Sequence, residues 1–377
     1  MKTLYKEPTW VAFCNKIEED YRIKSYPHFD PLFNFVKDKD KIHDIISDST
    51  NKRVAQHDFL PFVKILQKTP RYKWQNDEKH PDGGEYDLES KIRPISFASH
   101  FDTYIYSYYA FALNELYQDY IKQKGFDEVV LAYRNDLGGK CNIQFAKEAF
   151  DEVKKRFTTD GSCSVIALDI KGYFDNIQHK KLKEMWLRVI NESELPPDQY
   201  HVFRSLTKYS YINLASFQKQ FNINLDKIKQ KQIKKLKRGD KQAYQFNSLL
   251  DLIPDELGVQ NLKDKMNLLR ERRIVSQNSE FDSSKKRVLK NSGIPQGSAM
   301  SAVLSNIYLA IFDQEIFEKG IKEGFVYRRY CDDLLIICHP AKVNELKDFM
   351  MSKIKTDCFL TIQDKKTDVI DFKPNKN

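Results

Sequence analysis

The sequence predicts an α+β fold, and three observations carry that prediction. The apolar run Ser164-Val165-Ile166-Ala167-Leu168 ends in Asp169 and reads as a buried strand capped by a carboxylate. Val326-Tyr327 and Leu334-Leu335-Ile336-Ile337 flank Tyr330-Cys331-Asp332-Asp333, which reads as an antiparallel hairpin with two aspartates at its tip. Elsewhere apolar residues recur at spacings of three and four, first at Phe101, Ile105, Tyr108, Ala112, Leu116 and Tyr120, later at Val303, Leu304, Ile307, Ile311 and Ile316. Each series predicts a helix that buries one face.

A chain of 377 residues can bury a large core in two or three subdomains. It holds no run of eighteen apolar residues, and its start lacks the layout of a signal peptide. No membrane is therefore expected among its partners. Six cysteines (14, 141, 163, 331, 338 and 358) form no CxxC pair, which suits a reducing cytoplasm and argues against a disulfide framework or a zinc site. The net charge of +9 is concentrated. Residues 226–242 carry eight Lys/Arg against two Asp, and residues 263–290 carry nine against four, so the remainder is close to neutral. Such a strip is what binding to a phosphate backbone needs, with an ordinary solvated face as the equal alternative.

In chain order, residues 1–75 show helix-like segments broken by prolines at 27, 31, 61 and 70, and carry no functional motif. Residues 76–90 read as a polar loop with a Gly83-Gly84 tip. An extended piece follows at Lys91-Ile92-Arg93-Pro94-Ile95, since Pro94 disfavours helix at Arg93. The tyrosines of the helix over 99–121 read as core rather than as a base-stacking stripe. Gly138-Gly139-Lys140 precedes a helix but lacks the spacing of a nucleotide loop. After Asp169 a helix is expected to begin near Asn176 to His179, with Asp175 as its cap. Residues 191–290 read as an inserted or separate lobe. Ser292-Gly293-Ile294-Pro295-Gln296-Gly297-Ser298 forces a defined turn that admits close approach. The helix after it stops at Gly320, and Phe359-Leu360-Thr361-Ile362 alternates like a strand entering a polar turn.

The carboxylates suggest the chemistry. Adjacent aspartates in a turn repel each other unless a cation sits beside them, and a hard ion such as Mg²⁺ takes oxygen ligands. With 53 acidic residues, one Asp-Asp pair alone is a solvated turn by chance. Asp169 and Asp332, however, each end or turn an apolar strand although 163 positions separate them. Two-metal nucleotidyl transfer needs carboxylates from separate strands meeting at one point, around ions about 3.5–4 Å apart.

The ordered series DIKGYFDN at 169–176, GIPQGS at 293–298, SN at 305–306, YCDD at 330–333 and LTIQDKKT at 360–367 resembles the palm motifs of reverse transcriptases. The resemblance runs from about 90 to 370 and is interrupted over 191–290. It implies a right-hand polymerase fold, with an antiparallel palm sheet packed on helices. The implied parts are an N-terminal extension at 1–75, fingers at 76–160, palm at 161–190 and 291–377, and a basic, largely helical insertion at 191–290. The thumb would be reduced or absent.

By the same resemblance Asp169, Asp332 and Asp333, with the Ile170 carbonyl, would hold two Mg²⁺ ions, for which Mn²⁺ could substitute. Lys366 would protonate the leaving pyrophosphate. Lys91 and Arg93 would hold the triphosphate. Gly172, Tyr173, Phe174, Gln296 and Gly297 would contact the nucleotide, with the Phe174 ring excluding a 2′-hydroxyl; from the residues alone that ring reads as core. Lys234, Lys235, Lys237, Arg238, Arg272 and Arg273 would bind nucleic acid. The implied partners are dNTPs, an RNA template or noncoding RNA, the DNA product, and a partner protein or a second copy. The long insertion and short end are most similar to bacterial phage-defence (abortive-infection) reverse transcriptases. The alternatives are template-independent or DNA-templated DNA synthesis at the same site, an RNA polymerase of similar palm, or a degenerate palm that only binds nucleic acid.

Overall fold

The computed structural model describes residues 4–75, 85–228, 230, 248–254, 257–259 and 261–374. In order these form α1 (Glu7–Glu19), α2 (Phe35–Ile46), α3 (Lys52–Ala55), β1 (Phe62–Gln75), β2 (Glu85–Phe97), α4 (His100–Gln123), α5 (Asn142–Asp160), β3 (Cys163–Asp169), α6 (Tyr173–Asn176), α7 (His179–Ile190), α8 (Pro197–Thr207), β4 (Ser210–Asn213) and α9 (Leu214–Gln220). Then come α10 (Leu262–Glu271), β5 (Val275–Gln277), β6 (Ser279–Phe281), β7 (Arg287–Leu289), α11 (Ala299–Tyr308), α12 (Ala310–Glu323), β8 (Val326–Tyr330), β9 (Asp333–Cys338), α13 (Val343–Cys358) and β10 (Asp368–Phe372).

One antiparallel sheet runs β10-β3-β9-β8. Its central strand β3 is almost continuously buried because both faces are covered. Ile166 and Leu168 point into the main core, whereas Cys163 and Val165 meet Val153 of α5 and Ile337 in a smaller one. The second sheet runs β2-β1-β4-β5. Phe29, Val63, Ile212, Phe217, Leu249, Met266 and Leu269 share a separate core with it.

Helix α4 begins at the Ser99 cap, whose hydroxyl accepts from the Asp102 amide at 2.9 Å. It is buried on more than the one face its periodicity predicts: Tyr104, Tyr106, Tyr109, Leu113 and Tyr117 lie inside with Ile105 and Tyr108. A central helix wrapped by α1, α2, α7 and α11 has no solvent side along most of its length.

Several local expectations need correction. The polar loop at 76–90 is cut short, because β2 starts at Glu85, and β1 extends far into the region that shows no strand pattern in sequence. Residues 191–290 are not a free-standing lobe. Strand β4 pairs in parallel with Phe62–Lys64 of β1 and antiparallel with β5, so this region completes the second sheet. Asp175 does not cap α7, since Gln178 occupies that position and Asp175 sits inside α6. The strand near the end follows the polar turn at 364–366 rather than leading into it; before it Ile362 makes one bridge with Ile170.

Candidate active site

Asp169 is the last residue of β3 and pairs in register with Asp333, the first residue of β9. The Ile170 amide donates to the Asp332 carbonyl at 3.0 Å. Three aspartates from two distant segments therefore meet where β3 and the β8–β9 hairpin end. The hairpin turn is two residues long, and Cys331 takes a left-handed φ of 57° within it. Such a turn twists with the strands it joins, which points successive side chains apart.

Behind the turn lies a buried polar network. Arg329 and Asp313 are both fully buried, and the guanidinium meets the carboxylate through Nε (2.9 and 3.0 Å) and Nη2 (2.6 Å). The Tyr327 hydroxyl donates to Asp313 at 2.9 Å. Arg329 Nη1 donates to Asn306 Oδ1 and to the Cys331 carbonyl, both at 3.1 Å. Asn306 in turn donates to the Ala132 carbonyl at 2.9 Å, and the Tyr133 hydroxyl to Cys331 Sγ at 3.4 Å. Burial pushes the Cys331 thiol up to about 12, so it stays protonated and inert.

Around the aspartates the charges alternate. Lys366 Nζ sits 2.7 Å from Asp169 Oδ2, carried on the short turn after Ile362. Desolvation, together with the charges of Asp332 and Asp169, pushes the Asp333 carboxyl up, while Lys366 and Lys91 pull it back. Lys91 is itself lowered by burial and by the cations Arg93, Arg71 and Lys366. Lys91 and Arg93 stand two apart on β2, opposite Thr69 and Gln67, and Arg71 opposite Glu89 shares their face. Arg71 escapes notice in the sequence because β1 itself does. Among the described residues no three His, Cys, Asp or Glu side chains are grouped so that they could hold a metal ion.

Gly172 takes a left-handed φ of 55° and leads into α6, with Asn176 bonding the Lys171 and Gly172 carbonyls at 3.1 and 2.9 Å. This turn aims Tyr173 and Phe174 differently. Tyr173 is 2% exposed and donates to the Ser305 carbonyl, so its ring is core and out of a ligand's reach. Phe174 is half-buried and borders a cavity of 520 Å³ with Gln296, Gly297 and Tyr133. The glycine turn is clamped between two elements. The Ile294 amide donates to the Phe174 carbonyl at 3.0 Å, and the Ser96 amide to the Gln296 carbonyl at 2.7 Å. Gly297 has a φ of 112°, and a Cβ there would come within 2.9 Å of Ile95 and 3.0 Å of the Ser96 carbonyl.

The basic strip fares differently. Lys234, Lys235, Lys237 and Arg238 lie outside the described residues. Arg272 packs 5.3 Å over the Phe221 ring, and Arg273 is exposed just after α10.

Residues 259–374 match the family model described as reverse transcriptase (RNA-dependent DNA polymerase). This match supports a reverse transcriptase family. It spans less than a third of the chain but includes the glycine turn, the YCDD hairpin and Lys366. Asp169 lies outside it and joins the site through its register with Asp333. A search of curated protein sequences gives no match. Among solved structures the chain is similar to telomerase from Candida albicans in complex with a fragment of telomeric RNA (13% identity, 96% of this chain, 52% of that one, TM-score 0.41). It is likewise similar to apo telomerase from Candida tropicalis truncated of its C-terminal domain (10% identity, 89% and 56%, TM-score 0.42). The chain thus spans about half the length of each. No helix among the described residues is long and apolar enough to cross a membrane.

Proposed function

We propose that the chain is a reverse transcriptase, an RNA-directed DNA polymerase that adds dNTPs to a primer. The observation that carries this reading is the in-register meeting of Asp169 with Asp333 at the mouth of the YCDD hairpin. In it the β10-β3-β9-β8 sheet is the palm of a right-hand polymerase, and the β1–β2 hairpin belongs to the fingers.

The donor set fits magnesium. It consists of oxygen atoms alone, and magnesium at phosphate-transfer centres takes one or two carboxylates and leaves its other positions to water and substrate phosphate. Asp169, Asp332 and Asp333 would hold the ions, with the Ile170 carbonyl as a further oxygen. Two bound ions supply a lowered pKa for the primer 3′-hydroxyl and compensation of charge on the phosphate in transfer.

The chain's own groups do the rest. Lys366, within hydrogen-bond reach of Asp169, would donate a proton to the leaving pyrophosphate. Lys91, Arg93 and Arg71 form the cationic face that orients the triphosphate. Phe174, held by the Ile294 backbone bond, excludes a ribose 2′-hydroxyl, so deoxynucleotides are selected. The phage-defence assignment and a cytoplasmic location rest on the sequence resemblance and on six free cysteines, five of them buried. A noncoding RNA, a partner protein or a second copy of the chain would then share the grip on the template.

The test is Mg²⁺-dependent incorporation of labelled dNTPs on a primed RNA template. Asp332→Ala is expected to lower it by at least about 10³-fold, the scale of losing a main transition-state electrostatic contact. Undiminished incorporation in that variant refutes the assignment.

A further inference from the structure

The glycine turn and the segment that carries Phe174 are zipped together over a short antiparallel run. The Ile294 amide donates to the Phe174 carbonyl at 3.0 Å, the Gly293 amide to the Ile177 carbonyl at 2.9 Å, and the His179 amide to the Asn291 carbonyl at 2.9 Å. Gln178 and Ser292 form a bridge between them. One side chain crosses this run. His179 is the first residue of α7 and is buried, and its Nε2 lies 2.8 Å from the Gly293 carbonyl. A carbonyl only accepts, so Nε2 carries the proton and Nδ1 is the bare nitrogen. Burial lowers the pKa of the imidazole, against the pull of the Gly293 carbonyl and together with the charge of Lys208. The ring is therefore neutral, with a single N–H to give.

Stability alone does not account for this histidine. Its Nδ1 is buried and has no hydrogen-bond partner among the described residues. The cost of that unpaired nitrogen offsets what the Nε2 bond contributes, and an apolar side chain of similar volume would carry no such cost. What the imidazole adds is direction. The Gly293 carbonyl and the Ile294 amide belong to one planar peptide group. His179 holds its oxygen, and its N–H holds the Phe174 carbonyl. Gly293 has a φ of 90°, and a Cβ there would come within 3.1 Å of the Asp175 carbonyl. The glycine that this position demands also leaves the peptide free to rotate unless something fixes it. Asn278 Nδ2 is a second donor nearby, but it lies 3.5 Å from the Gly293 carbonyl and 3.0 Å from that of Ser292. His179 is the group that fixes the peptide, although it does not border the cavity beside Phe174.

We propose that His179 is a positioning residue for nucleotide selection: by fixing the peptide between Gly293 and Ile294 it sets where the Phe174 ring stands against the sugar of the incoming nucleotide. The inference rests on the polymerase reading and adds to it a residue that touches neither substrate nor ion. The full chain, His179→Leu, His179→Gln, Phe174→Ala and the double variant of His179→Leu with Phe174→Ala are assayed on a primed RNA template. The quantity read is the ratio of kcat/KM for a dNTP to that for the matching rNTP. Both constants come from one preparation, so any loss of folded protein cancels. His179→Leu is expected to lower the ratio about three- to tenfold, the scale of one lost neutral hydrogen bond. His179→Gln, whose amide donates to the same carbonyl, keeps most of it. In the Phe174→Ala background His179→Leu lowers it no further, because the histidine acts through that ring. A purely structural role weakens both nucleotides equally, so an unchanged ratio in His179→Leu overturns the proposal. A Gln variant as poor as the Leu variant overturns it too, since the donor is then not what matters. Should His179→Leu fail to fold, His179→Met takes its place. A wild-type chain that incorporates nothing removes the polymerase reading and this inference with it. A ratio lowered in Phe174→Ala but unaltered in His179→Leu leaves that reading standing and removes the role of His179 alone.

Discussion

The two sheets of this chain are built to opposite standards of rigidity. In the sheet that ends at the aspartates, β3 is covered on both faces and the hairpin turn is tied from behind by Arg329, Asp313 and Asn306. Among the described residues the β1–β2 hairpin is anchored at its base, where Phe62 and Val63 are buried and β4 pairs with Phe62–Lys64. Further out its even-numbered residues share one face by register, and Leu66, Tyr72, Trp74, Tyr86, Leu88 and Ile92 there are all more than half exposed. The opposite face carries Arg71, Lys91 and Arg93. The aspartates thus sit on packed structure, whereas the cations proposed to meet the triphosphate ride on an extension with few buried contacts. Extensions of that kind occupy the low end of local stability and move most easily.

The sharpest way to break this contrast is through the buried pair. Removing one partner of a fully desolvated ion pair strands the other, so Asp313→Ala is expected to lose about 3–5 kcal/mol in denaturant unfolding. Replacing both, as Asp313→Leu with Arg329→Met, removes the stranded charge and should restore most of that stability. It still deletes the donor to the Cys331 carbonyl, so dNTP incorporation should stay low in a folded protein. If activity returns with stability, the network stabilises the fold without positioning the turn.

The contrast also decides what the sequence can reveal. Asp169 and the YCDD hairpin are legible because short apolar, β-branched runs bounded by turn residues read as buried strands, and two such runs each end or turn at an aspartate. Arg329 carries no such sign. It is an arginine in a strand until the fold brings Asp313, sixteen residues earlier on α12, against it. Strand β1 is hidden by Pro70, which in a central strand would remove a ladder bond. Beyond Lys64 one edge of β1 has no partner among the described residues, and a proline is tolerated there. Residues 191–290 look detached because β4 and β5 are four and three residues long, too short to give a pattern, and join the sheet through pairing with β1. His179 is invisible for a similar reason: its bond depends on Gly293, 114 residues away.

Gly297 joins the two regions, since its turn docks on β2 beside the Ser96 carbonyl. Gly297→Ala forces a Cβ into Ile95 and a residue into a φ that L side chains avoid, so a loss of roughly 1–3 kcal/mol is expected. Because the strain falls on the joint rather than on either sheet, its clearest sign is a rise in dNTP KM that exceeds the fall in kcat. A fall in kcat alone would place the damage at the aspartates instead.

The smallest effect on folding belongs to the hairpin's cations. Arg93 is partly exposed on β2 and shares its face with two other cations, so Arg93→Ala removes mutual repulsion along with a side chain. Unfolding free energy should therefore change by no more than about 0.5 kcal/mol, as for most surface substitutions. Triphosphate affinity is another matter. A planar guanidinium makes charge-assisted bonds worth about 1.5–3 kcal/mol, so the dNTP KM should rise on the order of tenfold or more. Lys in its place should recover only part of that, because an ammonium cannot reproduce the two-pronged geometry. Steady-state kinetics beside thermal unfolding separate the two effects. An Arg93→Ala protein with unaltered KM would move the triphosphate site off this hairpin and leave the aspartate sheet to bind its substrate alone.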